Sequence, residues 1–424
     1  MSSVSREFRF VHCADLHLDS PFEGIHAVEP AIATKLKGAT FKAFDDVINL
    51  AIRNYADFLI IAGDVYDGAD RSLRAQLRFR DALRHAVEQG IQCFVAHGNH
   101  DPLSGWEAEL TMPKGVHRFS GEHVERIVVK RGAEELAHVY GISYPDRDVR
   151  DNIALKFRRE TDTPFAIGVL HCNVGGDPSH DNYAPCMVED LLRCRMDYWA
   201  LGHIHTRKVL NKFNPCIVYP GNTQGRSVRE LGERGCYLVR VGATGSITTE
   251  FMATDTVRWF SEEVNISDLN TIDDLLDALD KVCKDVRASA KGRASVLRLL
   301  LIGRGDLHAK LRHMDAERDL ALPLREKETE RTDFVWVESI QVATRPTIDI
   351  VQRRAVKDFI GDFLRSAESM RTQLNYGEVI RKLLSSRSEY RIIARQFDHL
   401  SDTDLLSILD QAETLGLDYL TEEE

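Results

Sequence analysis

Short apolar runs recur through the first 240 residues, and each is cut off by a polar residue capable of metal or acid–base chemistry. Phe58-Leu59-Ile60-Ile61-Ala62 and Phe165-Ala166-Ile167-Gly168-Val169-Leu170 have the length and branched-residue content of buried strands. The polar residues that follow them therefore sit at strand C-terminal ends, where open α/β sheets place their ligands. From about residue 255 the pattern changes. VRWFSEEVNI predicts a strand, TIDDLLDALDKVCKDVRASA an amphipathic helix, ASVLRLLLIG a buried strand and FVWVESIQVAT another strand, with a charged helical stretch around Asp315, Glu317 and Arg318 before the last. After Pro346, Val351, Ala355, Val356, Phe359, Ile360, Phe363 and Leu364 share one face of a single continuous helix. Further helices are expected around Val379 to Phe397 and Leu405 to Leu415. This divides the chain into an α/β domain over 1–250, a small α/β module over 255–345 and a helical segment over 346–424.

Composition narrows the setting. At 424 residues there is room for two or three domains. Eight scattered cysteines indicate neither a disulfide framework nor a zinc ribbon. No apolar run approaches the roughly 20 residues of a membrane span and no signal peptide is evident, so a cytoplasmic enzyme without membrane contact is expected. The net charge of −11 is awkward for a protein that handles nucleic acid, but most of the acidic excess falls after residue 260.

The polar residues at the run ends are Asp15 and His17, Asp64, Asn99 and His100, His171, and His203 and His205. Residues two apart, such as Asp15 and His17 or His203 and His205, share a face if the extended backbone persists. Gly63 and Gly98 stand directly before Asp64 and Asn99, which lets the backbone turn tightly with no Cβ in the way. Imidazoles, two carboxylates and one amide oxygen, without thiolate, suit Mn²⁺, Fe²⁺ or Zn²⁺ better than Ca²⁺. Two such ions carry four positive charges against two carboxylates, and the surplus forms a trap for a phosphate. In two-metal hydrolases the ions lie roughly 3.5–4 Å apart and clamp the attacking and leaving oxygens.

These spaced motifs resemble those of the calcineurin-like metallophosphoesterases, within them most closely the SbcD-type DNA repair exonucleases of a bacterial branch. DLHLDSPF, FLIIAGDVYDGAD, CFVAHGNHDP, AIGVLHCN and YWALGHIHTR occur in the family's order, followed by YPGNTQGRSVRELGERGCYLV. The resemblance implies a four-layer αββα sandwich with a small α/β capping domain and a helical C-terminal segment. It implies two divalent ions, Mn²⁺ foremost, one held by Asp15, His17, Asp64 and His205 and the other by Asp64, Asn99, His171 and His203. Asp64 would bridge them, with a shared water as nucleophile. It makes His100 the general acid for the departing oxygen and Asp67 the aspartate that orients it, where archaeal and eukaryotic nuclease relatives carry a histidine instead. The function implied is hydrolysis of DNA phosphodiester bonds at DNA ends, in repair, with an SMC-like coiled-coil ATPase as partner docking on the C-terminal helices; a homodimer is also compatible. The alternative is a small-molecule or nucleotide phosphodiesterase or phosphatase of the same superfamily.

For substrate contacts, Arg71, Arg74 and Arg78 recur at three- and four-residue spacing, with Arg80 and Arg84 close by, as a basic helix ridge near the site. The same run also fits an ordinary solvated helix face. Arg226, with Arg229, is a second candidate phosphate contact, or a pin for its own loop. Asp101 is expected to serve as a cap, and His12, His97, His180, Cys13 and Cys172 as packing residues.

Overall fold

The computed structural model describes residues 7–22, 30–68, 72–105, 108, 110–178, 180–372, 382 and 401–421. Two compact units emerge, one of Met1–Glu262, Leu279–Leu299 and Glu317–Ile340, the other of Glu263–Ala278, Leu300–Ala316 and Gln341–Glu424.

The first unit is built on two six-stranded sheets. Strands β1 (Phe8–Cys13), β2 (Phe58–Ala62), β3 (Gln92–Ala96) and β4 (Val116–Arg118) run parallel in one sheet, continued antiparallel by β11 (Gly235–Val241) and β12 (Ile247–Ala253). In the other sheet β6 (Glu134–Gly141), β7 (Ala166–His171), β8 (Tyr198–Gly202) and β10 (Cys216–Tyr219) run parallel, flanked by antiparallel β5 (Glu125–Arg131) and β9 (Lys208–Asn211). Every residue of β2, β7 and β8 is buried, because both faces of each central strand are covered.

Alternate residues explain the layers. Phe8, Phe10, Phe58, Ile60 and Phe94 from the first sheet meet Val139, Phe165, Ile167, Val169 and Tyr198 from the second in one core between the sheets, with Phe10 and Phe58 stacked at 4.9 Å. Val11, Leu59, Ile61 and Val95 point the other way, onto helices α1 (Pro30–Arg53) and α2 (Leu73–Glu88). Trp199, Leu170 and Ala166 face a third core containing Leu191 of α3 (Val188–Arg193). The result is the expected αββα sandwich. Ser72 caps α2, its hydroxyl accepting the Ala75 N–H at 3.0 Å.

A third, three-stranded sheet combines β13 (Val257–Asn265), β14 (Ala294–Ile302) and β15 (Val335–Val342) in that order, with α4 (Ile272–Ser289) between the first two in sequence. Within the first unit, Val257, Trp259, Val296, Phe334 and Trp336 pack on Ile32, Leu36 and Ala39 of α1.

In the second unit, the segment after Pro346 is two helices, Ile350–Ala355 and Phe359–Thr372, rather than one. The apolar period runs through the junction, but Val356 is extended and Asp358 accepts the Gly361 N–H at 2.8 Å, which starts the second helix afresh. Ile360 and Leu364 pack against Leu417 of the helix Asp402–Thr421, whereas Val351 and Phe359 are 75% and 72% exposed. The expected helix around Val379 to Phe397 lies outside the described residues. Among those described, no helix is long and apolar enough to cross a membrane.

Candidate metal centre

The ends of β1, β2, β3, β7 and β8 converge, and the polar residues that terminate them gather into two groups. Asp15, His17 and His205 bring one ligand atom each within 4.8 Å of one another, as do Asp64, His171 and His203. All seven predicted metal residues are drawn to this place. The backbone route differs from expectation: extended geometry does not persist past β1. Asp15, His17 and Asp64 have φ of 52°, 43° and 51°, and His203 has 100°. Left-handed backbone at non-glycine residues is costly and is held here by the bonds Asp15 N–H to Gly63 O and His17 N–H to Asp64 O, both 3.1 Å. Asp15 also accepts the His203 N–H at 3.0 Å, joining the two sheets across the site.

Glycine is required where expected. A Cβ on Gly98 would lie 2.3 Å from Asp64 Oδ1 and 2.7 Å from His171 Nε2, and one on Gly63, at φ 98°, would lie 2.2 Å from His171 Nδ1.

Each imidazole is fixed by a partner behind it. His17 Nδ1 donates to Asp67 Oδ1 at 2.6 Å and His205 Nδ1 to Glu230 Oε1 at 2.6 Å. His171 Nδ1 donates to Ala62 O at 3.0 Å and His203 Nε2 to Asp181 O at 2.7 Å. Since carboxylates and carbonyls only accept, the opposite nitrogen of each neutral ring carries a lone pair. These lone pairs face other acceptors. His17 Nε2 and His205 Nε2 are 3.1 Å apart, His171 Nε2 is 3.1 Å from Asn99 Oδ1 and 3.2 Å from Asp64 Oδ2, and His203 Nδ1 is 3.2 Å from Asn99 Oδ1. Acceptor against acceptor in a buried place is repulsive unless protons or cations lie between them, and this set of imidazole, carboxylate and amide donors fits divalent metal ions.

Burial pushes the Asp15 carboxyl up to about 6, with Asp64 adding to it. Burial also pushes His203 down to about 3. For His171 burial acts downward too, but the Asp64 carboxylate outweighs it and holds the ring at about 9. Without an ion the His171 ring therefore carries a proton towards Asp64, and an ion bound there would have to displace it.

His100 lies beside this centre, its Nδ1 3.0 Å from Asp67 Oδ1 and its backbone N–H on Asp64 Oδ1 at 3.0 Å. Burial acts to lower the imidazole, but the Asp67 hydrogen bond and the Asp64 charge raise it above its ordinary value. Asp67 therefore serves two rings at once, those of His17 and His100. Its other oxygen takes Ser20 Oγ and the Arg226 guanidinium, the latter at 2.8 Å.

Arg226 also gives its backbone N–H to Glu230 Oε2 at 2.7 Å, which ties its loop to the carboxylate behind His205. Arg74 reaches Asp19 at 3.4 Å, Arg78 reaches Asp45 at 2.9 Å, and both lie over the Phe41 ring of α1. Arg80 and Arg84 share Asp81. Arg71 lies outside the described residues.

Asp101 caps the Gly98 N–H at 2.7 Å and the Val65 N–H at 2.9 Å, while His97 binds Asp101 and His12 binds Tyr198. His180 departs from expectation. It helps line a cavity of about 340 Å³ with Asp64, Asn99, His100, His203 and His205, and its ring meets those of His203 and His205 edge-on at 5.4 and 4.9 Å. Glu230 was also missed, since it follows His205 by 25 residues in a stretch with no ligand pattern of its own.

The calcineurin-like phosphoesterase family model matches residues 8–207, and a model for the middle domain of the metallophosphoesterase YhaO matches 259–345. A Bacillus subtilis protein described as an uncharacterized metallophosphoesterase, YhaO, is 34% identical over 412 residues, spanning 96% of this chain and 97% of that one. The DNA double-strand break repair protein Mre11 of Aeropyrum pernix is 27% identical over 66% of this chain and 69% of its own length. Its namesake from Thermoplasma acidophilum is 28% identical over 45% of this chain and 52% of its own.

Proposed function

The chain belongs to the calcineurin-like metallophosphoesterases, and from that membership we propose that it hydrolyses DNA phosphodiester bonds, acting on DNA ends as the nuclease component of a complex with a coiled-coil ATPase. The observation that carries the hydrolytic reading is the cluster of four imidazoles around two buried carboxylates, each ring pinned on one nitrogen by a carboxylate or carbonyl so that its other nitrogen turns into the cluster. Asp15, His17 and His205 would hold one ion, Asn99, His171 and His203 the other, with Asp64 shared; Mn²⁺ suits this oxygen and nitrogen set. Bound there, the ions supply charge to grip a phosphate and to activate water. The rest is the work of the chain. Glu230 and Asp67 hold two rings in the metal-binding tautomer, and the carbonyls of Ala62 and Asp181 do so for the other two. His100, with Nδ1 engaged by Asp67, keeps Nε2 to deliver a proton to the leaving oxygen.

The DNA substrate is supported by the likeness to DNA double-strand break repair proteins, and the partner by the exposed Val351 and Phe359 on the C-terminal helices. A small-molecule diester is the second reading, favoured by the engagement of Arg74 and Arg78 with acidic neighbours, which leaves that ridge with less charge for a polyanion. The deciding assay is Mn²⁺-dependent degradation of end-labelled single- and double-stranded DNA beside a chromogenic phosphodiester. Loss of label from DNA is expected; turnover of the chromogenic diester alone would select the second reading.

A further inference from the structure

On the side of α1 that faces the three-stranded sheet lies an open cleft of about 720 Å³, lined by Lys35, Lys42, Lys291 and Arg293. Four cations thus face one cleft in a chain of net charge −11. Two acids share the lining, Asp46 and Asp255. Asp255 is neutralised from behind by a two-pronged contact with Arg258, at 2.7 and 3.1 Å. Arg293 donates to Asp255 O at 2.7 Å and lies 3.5 Å from Asp255 Oδ1, so the two arginines share one carboxylate and the guanidinium of Arg293 is fixed in the wall. Lys35 rests over the Phe334 ring at 5.1 Å with its ammonium on Arg331 O, and Lys291 is 72% exposed with only a 3.5 Å contact to Glu233. The floor is bare: a Cβ built on Gly38 or Gly292 meets nothing within 4 Å.

The cleft is linked to the metal residues through α1. Thr40 Oγ1 accepts the Asp19 N–H at 3.2 Å, and Asp19 follows His17 by two residues. With a helical rise of about 1.5 Å per residue, Lys35 and Lys42 lie within about 8 Å of Thr40 along the axis.

We propose that this cleft is a phosphodiester-backbone groove, holding nucleic acid at a distance from the bond being cut. The inference rests on the DNA reading above and gives the substrate a path on the lysine side of α1 rather than along the α2 arginines. Exposed lysines on a bare floor can follow a flexible backbone without reading bases. Arg74 and Arg78 are paired with Asp19 at 3.4 Å and Asp45 at 2.9 Å and do not line this cleft.

The test uses the full chain and two variants, Lys35→Gln/Lys42→Gln/Lys291→Gln and, with fewer changes, Lys42→Glu/Lys291→Glu, all at exposed positions. DNA binding is measured against salt concentration, and hydrolysis of a chromogenic diester too short to reach the cleft serves as the control for an intact centre. The triple variant should lose roughly 0.9 of log-log salt slope per phosphate contact, about 2–3 in all, with diester turnover unchanged. The double variant should weaken duplex binding at least as much as an Arg74→Gln/Arg78→Gln variant does. An unchanged slope in both lysine variants, while the parent protein binds DNA, overturns the groove and leaves the DNA reading standing. A parent protein that turns over the diester but neither binds nor cuts DNA overturns both. If inorganic phosphate at millimolar concentration displaces no DNA at matched ionic strength, the site is one for a backbone; displacement would make it a site for free phosphate and overturn the proposal.

Discussion

The two halves of the candidate metal centre each pair two imidazoles with one oxygen donor, Asp15 in one and Asn99 in the other, but are supported differently. His17 and His205 lean on side-chain carboxylates, Asp67 and Glu230, whereas His171 and His203 lean on main-chain carbonyls, those of Ala62 and Asp181. A carboxylate raises the basicity of the imidazole it backs and is removable by one substitution. A carbonyl is part of the strand or loop and moves only with the backbone. The Asn99 half is accordingly set by the fold, and the Asp15 half is tuned by side chains, one of which also serves the candidate acid. Burial opposes the charged forms of Asp67 and Glu230, yet their imidazole and Arg226 partners hold both carboxyls well below the usual carboxylate range.

The harshest way to break this distinction is to remove what the halves share. Asp64→Ala should abolish hydrolysis altogether, and surviving turnover above a few per cent would show that the halves are independent. His100→Asn should retain both ions but lose on the order of 10²–10⁴ in rate on DNA. A nitrophenolate leaving group needs little protonation and should suffer far less, whereas equal losses would mean that His100 positions rather than protonates. Gly98→Ala attacks the fold-set half, because its Cβ collides with Asp64 and His171. A displacement near 1 Å should cost on the order of 10²-fold in rate, measured with thermal unfolding alongside to confirm a folded chain.

Glu230→Gln attacks the tuned half. It should weaken one ion by roughly 10–100-fold and leave the other in place. Calorimetric titration would show two separated binding steps where the parent shows overlapping ones; equal weakening of both steps would erase the contrast. Asp67→Asn should combine this pattern with a share of the His100 loss, since both rings use the same oxygen.

Much of this centre was legible in the sequence because the strands that carry it are fully or largely buried and end abruptly. Hydrophobic runs mark β1, β2, β3, β7 and β8, and a ligand candidate either closes the strand, as His171 does, or follows it within three residues. The left-handed turns at Asp15, His17 and Asp64 were not legible, because bonds between the ends of neighbouring strands impose them against local preference. Glu230 and His180 reach the site from loops, with no periodic signal to flag them. The α2 arginines looked like a phosphate ridge by helical spacing, but their acidic partners lie elsewhere in the chain, Asp45 on α1 and Asp19 beside the centre. The break after Ala355 escaped because the apolar period continues through it while Asp358 caps a new helix.

The most direct measurement of the central claim is the Mn²⁺ stoichiometry of the full chain, read by metal analysis together with electron paramagnetic resonance, for the parent and for Asp64→Ala. The expected result is two ions per chain with a spin-coupled signal, and loss of both in the variant. One ion per chain, uncoupled signals, or two ions retained without Asp64 would contradict a centre in which a single carboxylate joins two halves.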